Sequence, residues 1–246
     1  MTENETLSAK ALTLISHKLR TPLSIINGYS EAILSQAAKE KFSPFTSKAL
    51  GEINKQGTRM SMLLDKLMSF NQVITARKEN LEKQDITLKP LLKECASKAI
   101  SQEVNEQSLS TPTNGSTKRG TFVDIDCSGQ LILPANTDMV RLAVVELLEN
   151  AIKFNNKLEK TIKLQATNHG DSISISVRDY GVGIRPQDVS KIFEPFYQVD
   201  DYFTGQISGW GLGLSMVQRI LDLHNGSISV VSDRGLGSIF TLSFPL

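Results

Sequence analysis

The chain changes its hydrophobic rhythm once, near residue 80. Between residues 46 and 70, Ala49, Ile53, Gln56, Met60, Leu63, Leu67 and Phe70 recur at alternating steps of four and three. That mean period of about 3.5 marks a helical packing seam. Residues 5–36 carry a second seam through Leu12, Ile15, Leu19, Pro22, Ile26, Tyr29 and Ile33. Lys39 to Thr46, with Ser43-Pro44, is a short polar connection, so the two helices are expected to pack as an antiparallel hairpin. Leu14, Leu23, Ile25 and Leu64 lie beside the seams, which widens the apolar stripes beyond what one hairpin can bury. Pairing two hairpins into a dimeric four-helix bundle resolves this, and a homodimer through residues 5–80 is expected. The alternative is a hairpin packed on the second domain of its own chain.

Beyond residue 80 the pattern alternates like strands and is punctuated by glycine. A short strand at Ile86-Thr87-Leu88 precedes a helix through Leu91, Leu92, Cys95 and Ala99, and residues 108–120 form a polar loop. Strands Thr121–Cys127 and Gln130–Leu133 are expected to pair as a hairpin about Ser128-Gly129. A helix over Thr137–Phe154 follows, then strands 161–167 and 172–178 around a turn that holds His169. A helix over 211–224 stops at Asn225-Gly226, a C-cap signal, before strands 227–232 and 238–244. Helices gathered on one face of a mostly antiparallel sheet make this part α+β. His224, in the last turn of its helix, either complements the helix dipole or packs in the core.

Composition narrows the function. Hydrophobic residues are 40% and charged residues 22%, with a formal net charge of +1. That is ordinary globular usage, and it excludes a strongly basic nucleic-acid binder. The N-terminal residues are polar and no run approaches eighteen apolar residues, so neither a signal segment nor a membrane span is expected. The expected location is cytoplasmic, as a free protein or as the cytoplasmic part of a longer, membrane-attached one. Cys95 and Cys127 lack metal-like spacing and read as free thiols in a reducing compartment. Residues 1–80 carry net +4 and residues 81–246 net −3. The texture changes at the same place, giving a domain over 1–80 and another over 81–246.

Several constellations carry candidate chemistry. His17 falls on the most exposed heptad position of its helix, and Pro22, five residues on, frees a backbone carbonyl and bends that helix. Glu146, Asn150 and Lys153, spaced four and three apart, line one helix face. A carboxylate, a neutral oxygen ligand and an ammonium there suit a general base, a Mg²⁺ ligand and a phosphate contact. Asp179-Tyr-Gly181-Val-Gly183-Ile184 ends a strand. Its acceptor-only carboxylate can take the exocyclic amine of adenine. Gly209-Trp-Gly211-Leu212-Gly213-Leu leads into a helix, where backbone N–H groups can cradle phosphate. Gly235-Leu-Gly237-Ser238 reads as a turn. Phe193-Glu-Pro-Phe196-Tyr197 and the polar stretch 201–208 read as a hinged lid. Taken alone, each is equally an ordinary turn or a solvated helix face.

Their order in one chain is what carries meaning. A hairpin with Ser16-His17-Lys-Leu-Arg-Thr21-Pro-Leu, then Glu146–Asn155, Asp179–Ile184, Phe193–Phe196 and Gly209–Leu214, resembles the transmitter region of bacterial sensor histidine kinases over residues 5–246. The resemblance implies a dimerisation and phosphoacceptor hairpin followed by a catalytic ATP-binding domain of the Bergerat fold, which DNA gyrase B and heat-shock chaperones share. It implies ATP as substrate with Mg²⁺ on Asn150 and phosphates on Lys153. Asp179 would hold the adenine, and Phe154, Gly181, Gly183, Ile184, Tyr197, Gly209, Gly211, Leu212 and Gly213 would surround the nucleotide. His17, with Glu146 and Thr21 as the other catalytic residues, would take the γ-phosphoryl group and pass it to an aspartate on the receiver domain of a response regulator.

Three positions depart from that family's pattern. Lys18 stands where many members with this box have Glu or Asp. An ammonium there keeps the imidazole neutral but cannot act as its base at neutral pH without a large pKa shift. Thr21 stands where the family places the side chain that orients water for regulator dephosphorylation, so the pair points to weak autophosphorylation and a phosphatase bias. Gln198 replaces a cation that follows the aromatic segment, and Trp210 replaces a small residue, where an indole either shields the nucleotide or obstructs it. The competing reading is a degenerate kinase that binds nucleotide or regulator without transfer. A third, a serine kinase of the same ATPase superfamily, gives no reason for the His17 hairpin.

Overall fold

The structure is a computed structural model that describes residues 19–21, 23–35, 43–109, 120–127, 129–199 and 210–246, the side chains of 105–109 excepted. His17, Lys18, Pro22, Gly209, the 110–119 stretch, Ser128 and the 201–208 stretch lie outside the described residues. The chain divides into two compact units that meet between Thr75 and Ala76.

The first unit contributes α1 (helical residues 19–21 and 23–35) and α2 (Pro44–Thr75). Ser43 and Pro44 start α2 for separate reasons. Ser43 Oγ accepts the Thr46 N–H at 3.1 Å, satisfying an orphan donor, and proline fits the first helical position because its missing N–H has no intrahelical partner there. The two helices run antiparallel. Asn27 lies against Gly57, where a Cβ would overlap the Asn27 amide, while seven residues earlier Arg20 reaches Asp65 at 2.6 Å. Leu23, Ser30, Gly57, Leu64 and Val73 are buried. The expected seams are covered only in part: Leu19, Ile26, Tyr29, Ile33, Ile53 and Met60 are exposed, Tyr29 by 70%, while Ala49, Leu63, Leu67 and Phe70 are half-buried. The contact within the chain therefore runs along a neighbouring stripe and leaves part of each seam on the outside.

The second unit contains β1 (Gln84–Thr87), α3 (Leu88–Leu109), β2 (Gly120–Cys127), β3 (Ile132–Ala135), α4 (Thr137–Lys153), β4 (Glu159–Asn168), β5 (Ser172–Arg178), α5 (Gly213–Leu223), β6 (Ser227–Asp233) and β7 (Gly237–Pro245). Its main sheet has the order β2-β4-β5-β7-β6, parallel only between β2 and β4. Alternation decides its faces. Ile162 and Leu164 of β4, Ile173, Ile175 and Val177 of β5, and Phe240, Leu242 and Phe244 of β7 are buried. The same face carries α4 and α5, through residues such as Val144, Leu148, Met216 and Ile220. Ser172, Ser174 and Ser176 alternate with the buried residues of β5.

The expected hairpin of β2 with β3 does not form. β3 pairs antiparallel with β1, and β2 pairs parallel with β4 from Gly120↔Glu159 to Cys127↔Ala166. Side-chain demands outweigh the nearby turn. Glu103 on α3 accepts both the Thr121 hydroxyl of β2 and the Lys160 ammonium of β4 at 2.6 Å. That staples both strands beneath α3. Pro134, which donates nothing to a ladder, sits in the small two-stranded sheet opposite Asp85.

Asn225-Gly226 ends α5 by dividing the work. Asn225 takes the left-handed conformation at φ 57°, and Gly226 donates to Leu221 O at 2.8 Å. Glycine is needed there because a Cβ would overlap Ser243 O. His224 belongs to the core. The Asn136 N–H donates to its Nε2 at 3.0 Å, so Nδ1 carries the proton and donates to Ile220 O at 2.7 Å. Burial lowers its pKa, so it is a neutral bridge to the N-cap residue of α4 and not a cation on the α5 dipole. Cys95 and Cys127 are free and buried, and burial pushes the Cys95 thiol up to about 11.

Candidate functional site

The site is organised around α4. Asn136 caps this helix by accepting the Met139 N–H at 3.1 Å, which fixes where its faces point. Glu146, Asn150 and Lys153 then fall on one stripe, Glu146 only 4% exposed and the other two half-buried. The Lys153 ammonium lies 4.9 Å from the centre of the Phe154 ring, a cation–π contact that leans the side chain over the end of the helix.

The Asp179–Ile184 turn docks on that end. Val182 N donates to Phe154 O at 3.1 Å, and a Cβ on Gly181 would overlap the same carbonyl. Glycine is required there by close approach, and at Gly183 also by a φ of 68°. The β6–β7 turn closes over the other side, with Gly235 N donating to Val182 O at 2.8 Å. Asp179 is 6% exposed and accepts the Gly181 N–H at 2.8 Å. Burial raises its pKa, while hydrogen bonds from Gly181 and from the backbone and hydroxyl of Ser238 oppose the rise. The result is a buried carboxylate held by donors from Gly181 and Ser238.

The glycine-alternating loop meets α4 from the other side. A Cβ on Gly213 would overlap Glu146 Oε2 and stand 3.9 Å from Asn150 Nδ2. Gly211, at φ 67°, faces the aromatic segment: Phe196 N donates to Gly211 O at 2.8 Å, with Phe196 itself at φ 66°. Asp188, which sequence reasoning passed over, anchors this segment. It accepts the Arg185 Nε–H at 2.6 Å and the Tyr197 hydroxyl at 2.8 Å. The Arg185 guanidinium is the main cause holding its pKa below the usual carboxylate range.

Glu146, Asn150, Phe154, Gly181 and Gly213 are thus brought together on one helix and its end. Leu212 has a buried side chain, which leaves its backbone as the part able to meet a ligand. The Tyr197 hydroxyl is engaged with Asp188. Thr21 is an exposed helical residue of the first unit. Sequence reasoning missed Asp188 and the contact of Ser232 Oγ with Ser238 Oγ at 2.9 Å; the spacing of Arg185 to Asp188 on one turn was the only available signal for the former. Among the described residues no cluster of three or more His, Cys, Asp or Glu side chains could hold a metal ion, and no helix is long and apolar enough to cross a membrane.

Known proteins resemble this chain in family and fold. Residues 9–74 match the His Kinase A (phospho-acceptor) domain, and residues 135–246 match the histidine kinase-, DNA gyrase B-, and HSP90-like ATPase family. Together the two matches cover well over half of the chain. The chain is 28% identical to the non-motile and phage-resistance protein of Caulobacter vibrioides, an alignment covering 96% of this chain and 27% of that protein. It is 30% identical to the autoinducer 2 sensor kinase/phosphatase LuxQ of Vibrio vulnificus, covering 97% of this chain and 26% of that protein. It therefore spans about a quarter of the length of these curated relatives. Full-length ShkA in complex with AMPPNP has the same fold, with a TM-score of 0.72 at 23% identity over 96% of this chain and 45% of that one. With a phosphoacceptor helical region ahead of a Bergerat-type ATPase unit, the chain belongs to the bacterial two-component sensor histidine kinases, of which it is the transmitter core.

Proposed function

We propose that the chain is an ATP-dependent histidine autokinase that phosphorylates His17 and hands the phosphoryl group to an aspartate of a response-regulator receiver domain. The observation that carries this reading is the convergence on α4: Gly213 against Glu146 and Asn150, and the Asp179 turn on the Phe154 carbonyl. In the transfer, an imidazole nitrogen of His17 bonds the γ-phosphorus, the bond to the β,γ-bridging oxygen breaks and ADP leaves. The imidazole is largely neutral at physiological pH and nucleophilic, and its ring proton passes to a carboxylate base, the role given to Glu146.

Asp179 accepts the adenine amine, since a carboxylate held by Gly181 and Ser238 presents only acceptors. Phe154, Gly181, Gly183, Ile184 and Tyr197 enclose the nucleotide, with Gly209, Gly211, Leu212 and Gly213 along the phosphates. Lys153 places its ammonium on them. The donor set fits Mg²⁺: one amide oxygen from Asn150, beside a carboxylate, suits a cation that draws its other ligands from phosphate oxygens and water. Bound there, Mg²⁺ would neutralise charge on the transferring group. The exposed seam of Ile26, Tyr29, Ile53 and Met60 supports a homodimer built from two hairpins.

Lys18 beside His17, with Thr21 intact, favours a phosphatase-biased version of the same enzyme. Incubation with γ-labelled ATP and Mg²⁺, followed by acid treatment, tests the proposal. Acid-labile label that disappears in His17→Gln is the expected result. No label with retained ATP binding supports the degenerate-kinase reading, and acid-stable label supports a serine or threonine kinase.

A further inference from the structure

The Asp179 carboxylate is held from β7 and β6. Asp179 N donates to Ser238 O at 2.9 Å, and the backbone N–H and hydroxyl of buried Ser238 both bond the carboxylate. The one Ser238 hydroxyl proton is therefore committed to Asp179, and its oxygen is left as an acceptor. Ser232 on β6 stands 2.9 Å away, oxygen to oxygen. Its own proton has two acceptors within reach, Ser238 Oγ and Gly237 O, the latter at 3.0 Å. With the Ser238 proton turned to Asp179, the Ser232 proton is shared between Gly237 O and Ser238 Oγ. Ser232 Oγ in turn accepts the Ile184 N–H at 2.8 Å. A single half-buried hydroxyl thus joins both ends of the Asp179–Ile184 turn: Ile184 N–H to Ser232, Ser232 O–H to Ser238, Ser238 O–H to the carboxylate. Hydrogen bonds in series polarise and orient one another.

We infer that Ser232 is a positioning residue for base recognition, setting the direction of the Asp179 carboxylate through Ser238. The inference rests on the assignment of Asp179 to the adenine amine. A merely structural serine, capping the Ile184 N–H, would on removal weaken every nucleotide alike. A relay weakens only the share of binding that depends on the exocyclic amine.

Calorimetric titration of the full chain, with Mg²⁺, against ATP and against purine riboside triphosphate separates the two. The analogue lacks the exocyclic amine. The parent protein prefers ATP, and Ser232→Ala is expected to lose about five- to tenfold of that preference, the worth of one hydrogen bond, while affinity for the analogue changes by less than about twofold. Ser232→Thr keeps the hydroxyl and retains the preference. Ser232→Cys, close in volume but a weak donor, shows the same loss as alanine and serves if the alanine variant fails to fold. An unchanged preference in the Ala or Cys variant overturns the relay and leaves the nucleotide assignment standing. No preference in the parent overturns the adenine assignment of Asp179 and the relay with it.

Discussion

Replacing Gly213 with alanine separates the building of the site from its use. Gly213 opens α5 without a left-handed φ, so the backbone accepts alanine. The obstacle is across the gap, where the new Cβ would overlap Oε2 of Glu146, a carboxylate only 4% exposed. To restore ordinary van der Waals separation the carboxylate has to retreat by about 1 Å. A shift of that size in a positioned group costs on the order of 10²-fold in rate. Stability moves little, because alanine in place of glycine favours a helix by up to ~1 kcal/mol and offsets the repacking of one side-chain end. Single-turnover transfer from labelled ATP and thermal denaturation on the same preparation form the assay. The expected outcome is a rate about 10²-fold lower with a melting temperature within a few degrees of the parent. A well-folded variant with an unchanged transfer rate would refute the assignment of Glu146 as the base.

Four further outcomes are expected. Asp188→Asn removes the charge that Arg185 pairs with and weakens the hold on Tyr197, so limited proteolysis within 185–197 accelerates and the KM for ATP rises; unaltered cleavage in that segment contradicts the anchoring role. His224 has a folded pKa lowered by burial from 6.5, so the unfolded chain binds the extra proton. Its contribution to stability is full above the unfolded value, is lost as pH falls from about 7 towards the lower folded value, and is absent in His224→Gln. Urea titrations giving parallel pH profiles for parent and variant would sink that account. Lys18→Glu restores an acid beside His17 and raises the rate of autophosphorylation; a radiolabel assay showing no gain contradicts the base argument. Thr21→Ala slows dephosphorylation of the phosphorylated partner regulator, and an unaltered rate removes the phosphatase bias.

Long-period features were legible before the fold was known. The helical period of the first unit, the α4 stripe of Glu146, Asn150 and Lys153, and the glycine spacing are each local patterns, although each alone also fits an ordinary turn or a solvated helix face. What stayed hidden depends on contacts between segments far apart in sequence. The Ser128-Gly129 signal is local to its own sequence, whereas Glu103 on α3 fixes β2 and β4 together from 18 and 57 residues away. For His224 the choice between dipole complement and core packing stayed open, because its acceptor role needs Asn136, 88 residues earlier. The seam of the first unit was read from period alone, and period does not say which partner covers it. Ser232 carries no pattern distinct from other strand serines and Ser238 reads only as the end of a turn; their meaning appears when β6 and β7 bring Ser232 against Ser238 beside Asp179.

The central claim is that phosphorus travels from ATP to the imidazole of His17. Peptide mapping at neutral pH by electron-transfer fragmentation, on chain incubated with ATP and Mg²⁺, reads this directly. The account predicts a phosphoryl group on His17 in the parent and none in a chain carrying Asp179→Asn. A phosphoryl group on any serine or threonine instead, or an unmodified His17 in chain that demonstrably binds ATP, contradicts it.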